Sequence, residues 1–345
     1  MNTTKRAFIT GATGLVGSHV LIRLLLEGFA VKALYRSNPN LQKLQDISKF
    51  YSSSLNELLE TVEWVEGDIT DYYSLIDAID EGTTVFHCAA FVSFNHSDRH
   101  RLKQVNEEGT ANMVDAAIEK KAGKFIFIST IGTLGTPEKG HLTDENCAWQ
   151  AKHRHSAYSQ SKFRGEMEVW RGTKEGLNAI IINPSVILGP CDINQSTGKL
   201  FKLIASQPKF YTTGSTGYVD VRDVANACVC LVNSDIVNER FILNGANIPF
   251  NEFMTLTANS LNLKPPTIEA NELMTSIAWR LEWLKSLISC TQPSLTRDSA
   301  RIAHSEPAYS SEKFIQATNY QFNPIEQTIS ETAEWMLTYQ KDLMK

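Results

Sequence analysis

The stretch Thr10-Gly11-Ala12-Thr13-Gly14-Leu15-Val16-Gly17 constrains this chain more than any other. An apolar run, Ala7-Phe8-Ile9, leads into it, and residues 18–27 lead out with Val20, Leu21, Leu24 and Leu25 at helical spacing. The pattern reads as strand, Gly-rich turn, helix. Gly11 lets the chain turn sharply off the strand, Gly14 lets backbone approach a pyrophosphate, and Gly17 lets the helix pack close to the sheet. The helix N-terminus offers N–H groups and a positive dipole end to phosphates. Gly11, Thr13, Gly14, Leu15, Val16 and Gly17 are therefore the candidate dinucleotide-binding residues of the turn. No Lys-Ser/Thr follows Gly17, which argues against a nucleoside-triphosphate loop.

Composition narrows the function classes. A chain of 345 residues, 42% hydrophobic and 21% charged, can bury a sizeable core in one large domain or two lobes. A net charge of −5 and a pI near 5.9 give no basic footprint for nucleic acid. No apolar run is long enough to span a bilayer. The first strand begins within about six residues of Met1, so no signal-peptide layout is present. Six cysteines (Cys88, Cys147, Cys191, Cys228, Cys230 and Cys290) form no C-x-x-C pair and read as buried free thiols. No metal site is indicated, since His96 and His100 lack a nearby third ligand. These features suit a cytoplasmic enzyme.

Along the chain, Ala30-Val31-Lys32-Ala33-Leu34-Tyr35 reads as a second strand, followed by Arg36. At this position an acid would bond the ribose 2′-hydroxyl of NAD, whereas arginine meets the 2′-phosphate of NADP. Tyr35, Arg36 and Ser37 include no acid, and Lys43 adds a second cation. Residues 38–60 read as helix plus loop. A short strand at 61–65 precedes Gly67-Asp68-Ile69, where Asp68 and Ile69 could hold an adenine ring, or Asp68 could cap the helix expected at 71–79. The strand expected at 84–90 ends in Cys88-Ala89-Ala90, small residues that leave room for a ligand at a strand's carboxyl end. His87 inside it reads as a structural histidine.

A long helix is expected at 97–121, with Asn106 on it. The apolar strand 124–128 ends in two hydroxyls, Ser129-Thr130, and Tyr158 and Lys162 share one face of the next helix. An ammonium beside a phenol favours the phenolate and makes tyrosine a usable acid/base. A sixth strand at 180–186 is broken by Pro184, a helix is expected to start near Tyr218, and Arg240-Phe241-Ile242-Leu243 reads as a strand that returns to the sheet. Residues 274–288, carrying Trp279 and Trp283, read as a core or lid helix, and a last helix is expected at 324–345.

With these motifs in view, the chain resembles the extended short-chain dehydrogenase/reductase superfamily, and within it the dihydroflavonol reductase and 3β-hydroxysteroid dehydrogenase branch. The resemblance runs through the Gly turn, Gly67-Asp68-Ile69, His87-Cys88-Ala89-Ala90, Asn106-x-x-Gly109-Thr110, Ser129-Thr130, Tyr158-x-x-x-Lys162, the stretch 183–190, Val219-Asp220-Val221-Arg222-Asp223 and Phe322-Asn323-Pro324. It implies a doubly wound parallel α/β sheet of the Rossmann type over residues 1–183, with a segment near 218–245 returning to it. A smaller, mostly helical substrate lobe would occupy 184–345, with substrate in the cleft between. It also implies roles. Tyr158 would exchange a proton with the reacting oxygen, and Lys162 would lower its pKa and hold the nicotinamide ribose. Thr130, rather than Ser129, would bond that oxygen, and Asn106 would order a relay water. Pro184, Ser185 and Val186 would meet the nicotinamide carboxamide, and Arg36 with Lys43 would select NADP(H) over NAD(H). Threonine at 130 departs from the branch's commoner serine but supplies the same donor.

The function so implied is carbonyl reduction, or alcohol oxidation, on a small substrate, with Phe91, Phe94, Trp149 and Trp279 suggesting a partly apolar pocket. The alternative is a nucleotide-sugar epimerase or dehydratase with bound NAD. Arg36 argues against it, as does Ile131-Gly132, where sugar dehydratases carry an acid pair. A non-catalytic dinucleotide sensor would have lost Tyr158 and Lys162. In this superfamily the two long helices carrying Asn106 and Tyr158 commonly form a homodimer interface.

Overall fold

The computed structural model describes residues 5–36, 41–52, 55–152, 155–289, 297–340 and 342–343. Ser37, Cys290 and the side chains of His96, Trp283, Leu284 and Leu287 lie outside the described residues. Twelve strands are described: β1 (Arg6–Thr10), β2 (Ala30–Tyr35), β3 (Glu63–Glu66), β4 (Thr84–His87), β5 (Phe125–Ile128), β6 (Ala179–Pro184), β7 (Val186–Leu188), β8 (Phe210–Tyr211), β9 (Ser215–Asp220), β10 (Glu239–Leu243), β11 (Ala246–Pro249) and β12 (Ile268–Glu269).

Seven of these form one parallel sheet in the order β10-β6-β5-β4-β1-β2-β3. The chain winds outward from β1 to β3, then crosses back to β4 and winds the other way. The strand order therefore reverses between β1 and β4, which is where open α/β sheets bind ligands beyond their strand ends. Helices cover both faces, so central strands need apolar residues on both sides. Accordingly every residue of β5 and β6 is buried. The helix Leu15–Leu26 begins three residues earlier than its apolar spacing suggests and buries Val20, Leu21, Leu24 and Leu25 against the sheet. Each such side chain contributes about 1.5–3 kcal/mol of transfer free energy.

Five expectations change in the structure. Residues 97–121 are not one helix: a 3-10 turn at His96–Asp98 runs into a short helix, a π-helical turn at Lys103–Glu108 and the helix Gly109–Glu119. The helix start expected near Tyr218 lies at Val221, because Tyr218 and Val219 belong to β9 and Asp220 caps the helix Val221–Val232 by accepting from Arg222 N–H. The capping role weighed for Asp68 falls to Asp71, which accepts from Tyr73 N–H at the start of Tyr72–Ala78. The broken sixth strand is two strands. After Pro184 the chain leaves the large sheet, and β7 pairs with β9 in a second sheet of order β11-β9-β7. A third, two-stranded sheet joins β12 to β8. The helical lobe therefore carries two small sheets that sequence periodicity did not disclose. As expected, 240–243 rejoins the large sheet: β10 pairs in parallel with β6.

The edge of that sheet is sealed by a side chain. Glu145 Oε1 accepts from Ile242 N–H at 2.8 Å, and Thr143 exchanges backbone bonds with residues 308 and 310. The loop 132–151 is thereby pinned beside the carboxyl ends of β5 and β6. Among the described residues, no helix is long and apolar enough to cross a membrane.

Candidate active site

The Gly-rich turn is built around close backbone contacts. Gly11 has φ +70°, and a Cβ there would lie 2.7 Å from Ala89 N. A Cβ on Gly17 would lie 2.1 Å from the Gly11 carbonyl oxygen, so Gly17 serves the contact between the first helical turn and the turn itself. Gly14 differs: its Cβ would meet only Gly11 O, at 3.2 Å. Gly14 is also the helix N-cap, with no side-chain cap and no acid in the first turn. The N–H groups of Leu15, Val16 and Gly17 thus start a helix whose positive end carries no protein anion. Lys43 Nζ donates to Thr13 O at 3.1 Å and puts its charge beside the turn.

Two neighbouring strand ends complete this side. Arg36 follows β2 and Asp68 follows β3, with Arg36 Nε 3.9 Å from Asp68 Oδ2. Asp68 Oδ1 accepts from Thr70 N–H and the Thr70 hydroxyl, both at 2.9 Å, which fixes its orientation. Arg36 remains largely exposed, with 60% of its side-chain surface accessible, so a guanidinium is available for an anion at this rim. Ile69 packs into the core beside Leu34.

The floor of the cleft is a polar chain with one consistent direction. Ala89 N–H donates to Thr10 Oγ1 (3.2 Å), which lies 2.8 Å from His87 Nδ1; His87 Nε2 lies 3.1 Å from Thr110 Oγ1, which donates to Asn106 O at 2.8 Å. Because the Thr110 proton goes to Asn106, Thr110 accepts from His87, which assigns the proton to Nε2 and makes Nδ1 an acceptor. Burial pushes the His87 pKa down to about 3. His87 is therefore a neutral structural histidine, as its place inside a strand suggested. Its network orders the Ala89-Ala90 backbone against Gly11.

Tyr158 and Lys162 lie one turn apart on the helix Ala157–Lys174, which Ser156 caps through Ser159 N–H. Lys162 is 1% exposed. Its ammonium donates to Ile128 O at 2.7 Å and sits 4.0 Å from the centre of the Phe127 ring. It is thus held at the carboxyl end of β5, beneath Ser129 and Thr130. Burial lowers its pKa to about 7, with Glu166 and Cys88 opposing that shift. The Tyr158 phenol is pushed up to about 12 by burial. One N–H of the Lys162 ammonium goes to a backbone carbonyl, and burial is the cause that raises the Tyr158 pKa.

The two hydroxyls after β5 separate cleanly. Ser129 is buried and donates to Glu166 Oε1 at 2.5 Å. Thr130 is half-buried and accepts from Gly132 N–H at 3.2 Å, which leaves its own proton to donate. Asn106 is buried in the π-helical turn, a distortion often found at functional positions. Its Oδ1 accepts from Phe91 N–H at 2.8 Å, and its Nδ2 donates to Phe91 O and Ser161 Oγ, both at 2.9 Å. Both amide protons are thereby committed to protein partners, and the side chain works as a clamp between the loop after β4 and the helix of Tyr158. Its backbone carbonyl takes the Thr110 hydroxyl.

The remaining candidates also find places. Pro184 ends β6 and Val186 opens β7; Ser185 N–H between them donates to Leu243 O at 2.9 Å, while its hydroxyl is buried with no hydrogen-bond partner among the described residues. The Phe94 ring, 61% exposed, meets the Tyr158 ring edge-on at 5.9 Å. Phe91 lies under the Arg101 guanidinium at 4.3 Å. Trp149 is stacked between His155 and Phe163, so it buttresses the helix that carries Tyr158. Trp279 is half-buried and stacks with Arg280, on a helix that exposes Leu273, Ile277 and Leu281. Nothing in its contacts places Trp279 over Tyr158.

One residue escaped the sequence reading. Glu166 is fully buried, one turn beyond Lys162 on the same face, and its carboxylate gathers Ser129, Thr133, Asn183 and Arg240. The signal was present as a third polar residue at the same four-residue interval, Tyr158-x-x-x-Lys162-x-x-x-Glu166.

A nicotinamide dinucleotide fits these residues. The open face of Gly14, the uncapped helix and the orphaned Ser185 hydroxyl are what a pyrophosphate and a carboxamide would use. Comparison with known proteins agrees. Over 341 residues the chain is 26% identical to a putative dihydroflavonol 4-reductase of Synechocystis sp., covering 95% of this chain and 93% of the relative. It is 30% identical to cinnamoyl-CoA reductase 1 of Arabidopsis thaliana over 69% of this chain and 70% of that one. The solved structure of gox2253 superposes with a TM-score of 0.81 at 26% identity, covering 98% and 99% of the two chains. UDP-glucose 4-epimerase of Thermotoga maritima shares the fold, with a TM-score of 0.72 at 19% identity over 96% and 99%. The family model for NAD-dependent epimerases and dehydratases matches residues 7–243, and the chain belongs to that family.

Proposed function

We propose that this chain is an NADP(H)-dependent carbonyl reductase, equally able to run as an alcohol dehydrogenase, acting on a small and partly apolar substrate. The observation that carries the reading is that Lys162, one helical turn from Tyr158, reaches the Ile128 carbonyl at the end of β5, two residues before Thr130, whose hydroxyl accepts from Gly132 N–H and keeps its own proton to donate. With the pyrophosphate of the dinucleotide on the Gly turn, the nicotinamide would supply or accept the hydride. Gly11, Thr13, Gly14, Leu15, Val16 and Gly17 hold the pyrophosphate. Asp68 and Ile69 flank the adenine, and Ala89 and Ala90 leave it room. Pro184, Ser185 and Val186 face the carboxamide.

Tyr158 delivers its phenolic proton to the carbonyl oxygen, and Thr130 donates a hydrogen bond to the same oxygen, so charge developing there meets two oriented donors. Lys162 holds the nicotinamide ribose and, once turned from Ile128 O toward Tyr158, stabilises the phenolate left behind. Arg36 supports NADP(H) because the end of β2 presents a guanidinium where a carboxylate would serve NAD(H). Ile131-Gly132 supports reduction over sugar elimination, since no acid pair follows Thr130. The names of the reductase relatives point the same way.

The test is NADPH oxidation against a panel of aromatic and aliphatic aldehydes and ketones, with Tyr158→Phe as the control. Turnover by the wild type that falls at least about 100-fold in Tyr158→Phe, with NADPH binding retained, supports the reading. Equal turnover by both proteins refutes it.

A further inference from the structure

The strongest unexplained feature is the buried carboxylate behind the site. Glu166 is 0% exposed, and burying an ionised group is costly unless it is fully partnered. Its Oε1 takes the Ser129 hydroxyl at 2.5 Å, the Thr133 hydroxyl at 2.7 Å and the Asn183 amide at 2.7 Å, and Oε2 pairs with Arg240 from β10. Four elements therefore converge on one carboxylate: the loop after β5, β6, β10 and the catalytic helix. Three of its partners surround Thr130. Ser129 precedes it, Thr133 Oγ1 lies 2.8 Å from its carbonyl and shares its one proton between that carbonyl and Glu166, and Asn183 Nδ2 lies 3.0 Å from the same carbonyl. On the other side Lys162 stands one helical turn away, the spacing at which opposite charges interact.

We propose that Glu166 is the positioning residue of this site, keeping Lys162 charged and turning Ser129 away so that Thr130 alone presents a hydroxyl to substrate. This rests on the reductase reading given above. Its effect on Lys162 follows from the surroundings of that ammonium. The charged and titratable groups that act on it are Glu166 on its own helix, with His87 and Cys88 at the end of β4; the aromatic ring of Phe127 and the Ile128 carbonyl complete the shell, and Tyr158 lies one turn earlier on the same helix. His87 and the Cys88 thiol are neutral at pH 7, and Arg240 lies beyond Glu166. Glu166 is then the anion that offsets the desolvation of Lys162, whose pKa stands at about 7. Without that charge Lys162 would be neutral at the pH where it has to attract a phenolate.

The test uses full-length protein with 15N-labelled lysine side chains, following the Lys162 Nζ resonance against pH and assigning it by its loss in Lys162→Met. Glu166→Gln keeps the shape of the carboxylate and removes its charge; Glu166→Asp keeps the charge and shortens the stem. A charge role lowers the Lys162 midpoint by at least about one pH unit in Glu166→Gln and leaves it nearly unchanged in Glu166→Asp. A packing role ranks the two the other way, because aspartate loses the partners that glutamine can still reach. The double variant Glu166→Gln, Arg240→Met removes the ion pair without stranding the arginine and repeats the test if Glu166→Gln does not fold. The pH profile of kcat/KM should move with the Lys162 midpoint. An unchanged midpoint in the folded Gln variant, or in the double variant relative to Arg240→Met, overturns the proposal. If Tyr158→Phe keeps its turnover, the reductase reading fails instead, and the titration still reports on Glu166.

Discussion

Replacing Gly17 and Gly14 separately with alanine distinguishes two jobs inside one motif. At Gly17 the new Cβ would stand 2.1 Å from Gly11 O and 2.6 Å from Gly11 C, against the roughly 3.2 Å that carbon and oxygen tolerate. Both partners are backbone, so no rotamer relieves the contact; the helix or the turn has to move by about 1 Å. Overpacking of this kind costs about 1–3 kcal/mol or more, and the better helix propensity of alanine returns at most about 1 kcal/mol. At roughly 2 °C per kcal/mol for a chain this long, Gly17→Ala should melt about 2–5 °C below wild type without any ligand. At Gly14 the only contact is Gly11 O at 3.2 Å, so Gly14→Ala should melt within about 1 °C of wild type. Its Cβ instead projects into the space assigned to the pyrophosphate, and NADPH affinity should fall at least about tenfold, or 1.4 kcal/mol. Thermal melts and nicotinamide fluorescence titrations read the two effects. A Gly17→Ala protein as stable as wild type, or a Gly14→Ala protein that binds NADPH normally, would refute the assignment.

Further outcomes follow from the same geometry. Thr130→Val should cut kcat about 100-fold while leaving the melting temperature within about 2 °C, whereas Ser129→Ala should act on stability, because it strips a donor from buried Glu166. Stability should fall in acid. His87 and His19, with pKa values lowered by burial to about 3 and about 4, stay neutral in the folded chain while the unfolded chain takes up protons below pH 6.5. Each histidine then removes up to roughly 3 kcal/mol as pH drops from 6.5 to 4.5. Asp223, raised to about 6 by burial, works in the opposite direction, because its folded form gains a proton first as pH falls. Urea midpoints measured between pH 7 and pH 4.5 should show the net loss, and His19→Gln should flatten the slope.

Much of the fold was legible because its signals are local. The Gly turn sits between a strand and an amphipathic helix, and the fully apolar 125–128 is what a strand buried on both faces requires. The roles of Ser129 and Thr130 were separable only in part, since the partner that occupies Ser129 lies 37 residues away. The surroundings of Tyr158 and Lys162 were hidden for a related reason. Spacing along a helix gives proximity, but desolvation and the Ile128 carbonyl come from elements far off in sequence. The strands β7, β8, β11 and β12 hold two to four residues each, too few for an alternating pattern to register. The π-helical turn at Asn106 was hidden because an extra residue within a helix barely changes its apolar spacing.

The account turns on the dinucleotide rim, where Arg36 and Asp68 meet at the ends of β2 and β3. The most direct test titrates the purified protein with NADPH and with NADH, in the wild type and in Arg36→Ala. The account predicts that NADPH binds at least about tenfold tighter, or 1.4 kcal/mol, and that Arg36→Ala removes most of that difference while NADH binding holds. Tighter binding of NADH, or a preference for NADPH that survives the loss of Arg36, would contradict it.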